Sequence, residues 1–540
     1  MNIRYTLTVG IALAASLAAQ EKKQTDVCTP PASRVAPSLP AKLLSGQGTE
    51  YIEFPITTRS EEARKFFLQG VAQMHSFWAV EAERSFLQAA ALDPEAPMPW
   101  WGIAMVAAGD FRPRFQLSTY AYQLRNPETA PRVEEAAAKA QELAAVTGKA
   151  TELEKLYIAS IAARRDPKSL NPDAAYIKGL REIVKRYPDE VEAKSYLALH
   201  LMSGFELPAK TPKGPGSMEA VEILKELVKK YPNHPGPHHY VIHGWEGSTF
   251  AKDAWDSSKR YAELAPNIPH ALHMPGHIYS QTGRWDDAVK AFAAAADNEL
   301  KWIQADTLYS TGHHGHNVHY LATSHSFQGN VEEAMKAARH LLDMKENPRE
   351  AAALDNNRTA YRQGWFAMLR TLVQHERWDL ILDGTTLPVY DKPRETAWRH
   401  WATGVAYAAK GDAAKAARSL ALMDDTLDVY QDKVKQAVPA ELRVAKQELA
   451  AHILAARKKT KEAIARLEKV AARERTLVYS EPPFYPRPVN EALAAIAMKA
   501  GQQDVAEKAW RGALEQYPDS AKATAGLKQL HAHTSAGGGQ

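Results

Sequence analysis

The sequence predicts an all-α chain folded as a right-handed α-solenoid of helix–turn–helix repeats. Three observations predict it. Alanine is abundant and strand-like alternation is scarce, which favours helix nearly throughout. Histidine pairs recur at a fixed interval: His239 and His273 stand 34 residues apart, and so do His243 and His277. At 540 residues the chain is also too long for one compact core. A solenoid escapes that limit, because each repeat buries its apolar face against its neighbours alone.

At the start of the chain, Arg4 precedes an apolar run from Leu7 to Ala19, and Ser16-Leu17-Ala18 offers small residues for cleavage. Residues 1–18 are therefore expected to be a signal peptide, and the mature chain to be exported, periplasmic or secreted. The run is too short for a membrane span and no other stretch approaches one, so none is expected in the mature chain. Residues 19–50, rich in Pro, Ser and Lys, are expected to form a flexible leader. Cys28 is the only cysteine, which excludes an internal disulfide, a Cys-rich zinc site and a Cys-x-x-Cys-His haem attachment. A net charge of +4, with bases and acids interleaved as from Glu462 to Arg475, gives no reason to expect nucleic acid.

From residue 51 the repeats begin, and the slots they fill are those of the tetratricopeptide (TPR) unit. That unit is a 34-residue helix–turn–helix with a bulky residue at position 4, small at 8, aromatic at 11 and 24, Ala at 20 and 27, and Pro at 32. A unit starting at Ala63 supplies Phe66, Gly70, Ala82, Phe86, Ala89 and Pro94. One starting at Pro269 supplies Leu272, Gly276, Tyr279, Ala288, Phe292 and Ala295. The last, from Arg487, supplies Ala494, Ala506, Trp510, Ala513 and Pro518, while the unit from Pro235 keeps Trp245, Ala254 and Pro266. Weaker units start near Val191, Gly315, Arg362, Ala397 and Val444. This divides the chain into N-terminal TPR-like helices (51–190), central His-rich repeats (191–348), C-terminal TPR-like repeats (349–530) and a disordered tail (531–540).

Two insertions interrupt the array. The segment from Glu206 to Ser217 carries Pro208, Pro212, Gly214, Pro215 and Gly216 and cannot be helical throughout. The other, Ile303 to His314, separates the units starting at Pro269 and Gly315. Each reads as well for a neutral surface loop as for a functional one.

Twelve of the 20 histidines lie between His234 and His325. Numbered from Pro235, Pro269 and Gly315, position 2 reads Gly236, His270, His316. Position 5 reads His239, His273, His319, and position 9 reads His243, His277, Thr323. At about 100° per residue, positions 2, 5 and 9 fall within roughly 60° of arc, nearly opposite the packing positions. The seven histidines are thus expected to face the concave groove lined by successive first helices. Glu246, at position 12, points close to the same direction and is the candidate catalytic carboxylate. Pro275, between His273 and His277, is expected to kink its helix or mark its first turn.

Imidazole suits zinc, copper, iron and nickel, and seven exceed what one tetrahedral ion needs. Either some orient the others or more than one ion binds. Two other readings stand beside a metal: a groove for a peptide, protein or phosphate ligand, and a structural network. His238 and His325 take packing positions and are expected in the core. His313 and His314 fall in the inserted loop, where they either cap the site or do nothing. His75, His200, His340, His375, His400 and His452 read as ordinary helix residues. Glu481-Pro482-Pro483 reads as a rigid connector, with lining of the groove as the alternative.

Several of these segments resemble a group of bacterial exported TPR proteins. They are His234-Pro235-Gly236 through His239-Tyr240 to His243, His273-Met274-Pro275-Gly276-His277-Ile278, and His316-Asn317 to His319-Tyr320. Asp93-Pro94 with Trp101-Gly102 and the Glu481-Pro482-Pro483 segment look similar too, so the likeness spans roughly Phe66 to Leu527. It implies a superhelical repeat fold and export, and no particular activity. The expectation is therefore an exported TPR solenoid whose central groove binds a transition metal (zinc, copper or iron). The proposed ligands are His239, His243, His270, His273, His277, His316 and His319, with Glu246 as general base if the protein is an enzyme. The alternative is a non-enzymatic scaffold for a peptide or protein partner.

Overall fold

Short helices follow one another along the whole described chain. The computed structural model describes residues 37–107, 130–146, 148–202, 215–305, 311–345, 359–477 and 479–537. Among these, the regular elements are 23 α-helices and two short 3-10 turns, with no strand. Each helix packs on the next, and first helices such as Pro235–Trp245 and Pro269–Gln281 also pack on one another. The chain is a right-handed α-solenoid of TPR-like pairs. The expected signal peptide, residues 1–18, lies outside the described residues, and no described helix is long and apolar enough to cross a membrane.

Local sequence explains the pairing. Proline stands in the first turn of Pro97–Val106, Pro172–Arg186, Pro235–Trp245, Pro269–Gln281 and Pro393–Ala409. There its missing N–H costs nothing and its fixed φ starts the helix. Position 8 must be small because the aromatic at position 24 lies on it. A Cβ added at Gly70 or Gly102 would come within 2.6 or 2.5 Å of the Phe86 ring, and one at Gly276 within 2.6 Å of Phe292. Both phenylalanines are fully buried, each worth about 1.5–3 kcal/mol.

One large apolar cluster runs from Ile52 to Ile278, and a second from Ala322 to Leu530. Among the described residues, two small clusters lie between them. The break falls where the helices Pro269–Gln281 and Gly312–Gln328 turn imidazoles inward. The array also coils back on itself. Helix Glu61–His75 packs on Pro235–Trp245. From the other end, Trp285 Nε1 donates to the Pro518 carbonyl at 2.8 Å, Phe327 stacks on Tyr517 at 4.4 Å, and Gln281 Nε2 donates to the Tyr479 hydroxyl at 2.5 Å. The concave groove is therefore covered from both sides.

Four expectations change. The end of the expected leader is strapped down: Ala41 N–H donates to Gln88 Oε1 at 3.0 Å, Leu44 N–H to Gln69 Oε1 at 2.7 Å, and Asn267 N–H to the Gly46 carbonyl at 2.8 Å. The helix Ala521–Gly537 runs past residue 531, where the tail was expected to begin. Helix Pro235–Trp245 stops before Glu246, which is its C-cap instead of a twelfth helical residue. Helix Pro269–Gln281 continues through Pro275, so the His273 and His277 rings keep helical spacing, 4.8 Å apart.

Candidate metal centre

Seven buried imidazoles form one continuous cluster on three consecutive first helices, and none is more than 4% exposed. Along it, ring centroids lie 4.7 Å apart for His239 and His243, and 4.8 Å for His239 and His270. The same 4.8 Å separates His270 from His273, and His273 from both His277 and His313. His316 closes on His273 at 5.2 Å and His277 at 5.4 Å. Six of the seven expected ligands are thus brought together.

His319 is not among them. Its Nδ1 bonds to Gln363 Oε1 and its ring meets the edge of Phe366 at 5.9 Å. Burial first, then the Arg370 charge, pushes its pKa down to about 3 against the Gln363 bond. One helical turn past His316 carries the side chain toward the next unit, the helix Ala360–Gln374. His313 takes the seventh place: the residue expected in a loop lies in the first turn of Gly312–Gln328.

Oxygen acceptors fix the orientation of the rings. Nδ1–H donates from His239 to the His75 carbonyl at 2.5 Å, and from His243 to Glu246 Oε1 at 2.7 Å. The same atom donates from His273 to Asn317 Oδ1 at 2.8 Å and from His313 to Glu299 Oε2 at 2.7 Å. These oxygens can only accept, so each Nδ1 holds the proton and each Nε2 carries the lone pair. Asn317 Nδ2 donates to the same Glu299 oxygen at 2.9 Å, so one carboxylate anchors two histidines. Glu246 therefore stands behind His243 and orients it. Glu481 Oε1 approaches His277 Nδ1 at 3.6 Å.

Nε2 of His273 and of His313 has no hydrogen-bond partner among the described residues. Such orphans cost about 1–3 kcal/mol each. Burial, and then His270, His313, His277 and His316, hold the His273 pKa well below the ordinary histidine value, which leaves it neutral with an available lone pair. Three sets place one ligand atom per residue within 4.8 Å of one another: His239, His243 and His270; His270, His273 and His313; and His273, His277 and His316. A fourth set, His75, Glu192 and His234, differs in kind. His75 bonds Tyr240 and Glu192 at 2.8 and 2.5 Å, and His234 bonds Glu192 at 2.8 Å. That triad is a satisfied hydrogen-bond network.

His238 is a core histidine bonded to Ser257 and the Pro232 carbonyl. His325 is half-buried and bonds Gln328 Oε1 at 3.1 Å, at the rim of the packing it was expected to join. His75, expected to be ordinary, supplies the carbonyl under His239. Its ring also explains the missing histidine at position 2, since a Cβ on Gly236 would come within 2.5 Å of His75 Nδ1. Glu299, Asn317 and Glu481 carried no repeat signal. Glu299 stands on the long helix Trp285–Ala305, at none of the slots that define the unit.

No family model matches this chain, and no curated protein matches it. Among solved structures it is similar to the Cut9 and Hcn1 hetero-tetramer of APC/C, at 14% identity over 87% of this chain and 77% of that one, TM-score 0.31. Yeast Tom70 matches at 12% identity over 88% and 90%, TM-score 0.29. Human IFIT1, solved as a dimer with m7Gppp-AAAA, matches at 13% identity over 80% and 96%, TM-score 0.31.

Proposed function

We propose that this TPR solenoid is an exported metalloprotein that holds a transition metal, zinc, copper or iron, in its buried histidine chamber. One observation carries the reading: seven buried imidazoles crowd together, four of them turned by an oxygen on Nδ1, with ligand atoms of neighbouring rings within 4.8 Å of one another in a place closed to solvent. Carboxylate or carbonyl behind histidine is the usual support of a metal ligand, because it fixes the tautomer and raises basicity. A structural network would satisfy its own members, and the orphaned Nε2 atoms of His273 and His313 do not fit that. A peptide scaffold would present its recognition residues on an open face, whereas these rings are covered. In the catalytic form of this reading the metal would supply a Lewis-acid centre, and Glu246, bonded to His243 Nδ1 at 2.7 Å, would serve as the general base.

The test is elemental analysis of the mature protein, purified without a polyhistidine tag, beside a His270→Ala/His273→Ala variant. Each of the three ligand sets contains at least one of the two. Zinc, copper or iron at one or more equivalents, lost in the variant with helicity intact, is the expected result. Protein that stays metal-free after loading would overturn the proposal. Export is checked by finding the protein outside the cytoplasm with a new N-terminus near residue 19.

A further inference from the structure

We infer that the chamber holds two metal ions, one on His239, His243 and His270 and the other on His273, His277 and His316. This rests on the metal reading above and goes further by assigning number and place. An imidazole nitrogen has one lone pair and binds one ion. His239, His243, His273 and His313 have Nδ1 committed to oxygen acceptors, so each has only Nε2 to give. The middle set shares His270 with one neighbour and His273 with the other. An ion there would take the one remaining nitrogen of His273 from one outer set and compete for His270 with the other. The two outer sets share no residue, so both can fill together.

Charge placement supports the same division. Two ions bring charge into a dry chamber, where it needs compensation close by. Glu246 stands behind His243 in one set. Glu481 faces His277 in the other, and Glu299 reaches His273 through Asn317. Each half thus has its own carboxylate. His313, 4.8 Å from His273 and 5.9 Å from His270, belongs to neither outer set and lies between them.

The experiment loads metal-free full-length protein with zinc alone, removes excess on a desalting column, and measures zinc per chain. Wild type is expected to retain two. His243→Ala leaves only sets that share His273, and His277→Ala leaves only sets that share His270, so each should retain one. His313→Ala destroys the middle set alone and should still retain two. A single equivalent in wild type, abolished by His313→Ala, would overturn the two-ion assignment and leave the metal reading standing. No zinc, copper or iron in wild type would overturn the reading beneath it. Copper(II) loading gives a check that needs no variant: two neighbouring ions should show dipolar broadening in the electron paramagnetic resonance spectrum, and a lone ion should not.

Discussion

Glu299 sets two of the seven rings. Its Oε2 accepts from His313 Nδ1 and from Asn317 Nδ2, and Asn317 in turn accepts from His273 Nδ1. Replacing the carboxylate by a neutral amide, Glu299→Gln, should lower metal affinity about 10–100-fold, the usual cost of losing such support. Competition against a chromophoric chelator reads this, and an unchanged affinity would remove Glu299 from the site. His319 predicts the reverse. It bonds Gln363 outside all three ligand sets, so His319→Ala should leave metal content and affinity as in wild type. A loss of metal there would mean that the chamber extends further along Gly312–Gln328 than its geometry shows.

Between elements, the spacing of helices is set by which small residue meets which ring. Gly276 is the case nearest the chamber. A Cβ there would lie 2.6 to 2.9 Å from three atoms of the Phe292 ring, which is fully buried and has no room to withdraw. Gly276→Ala should therefore cost about 1–3 kcal/mol by overpacking, seen as a lower midpoint of denaturant unfolding. Phe292 also borders His277 at 5.5 Å, so the shift is transmitted to the site and metal affinity should fall as well. Pairing the change with Phe292→Leu should recover part of both losses, since the clash is with the ring itself.

At the scale of the molecule, coiling brings the C-terminal connector over the chamber. Arg370 is fully buried and donates to the carbonyls of Pro483, Tyr485 and Pro486 at 2.5, 3.2 and 2.9 Å. Close by, Glu448 bonds Arg487 Nη2 at 2.6 Å, His452 Nε2 at 3.3 Å and the Tyr485 hydroxyl. Burial pushes the Glu448 pKa up, but Arg487, His452 and Tyr485 outweigh it and hold it down at about 2, below the ordinary 4.5. The sign follows from linkage: the ionised form is favoured in the folded state. Its stabilisation is fully present above pH 4.5 and lost as pH falls through about 2. Unfolding midpoints should drop across that window. Glu448→Gln should flatten the drop and cost about 3–5 kcal/mol at neutral pH, because Arg487 would stay buried without its counter-charge.

The helices, the 34-residue phase and six of the seven clustered histidines were legible in the sequence. Those features depend on period alone: one residue type at positions 2, 5 and 9 of successive units must recur on one face, whatever surrounds it. Gly70 with Phe86 and Gly276 with Phe292 were legible for the same reason, as a small slot and an aromatic slot of one unit. Pro275 lies inside its helix and not in the first turn, and the His273 and His277 rings still stand 4.8 Å apart, which a proline's local cost alone does not show. Exclusion of His319, entry of His313, the supports from Glu299 and Asn317, the His75 carbonyl and closure by Glu481 all lay beyond it. Each joins atoms from neighbouring helices or from distant parts of the chain, through the pitch of the superhelix. Pitch is the sum of many small packing angles, and no residue spacing records that sum; only the tertiary structure decided that a groove of histidines would become a closed chamber.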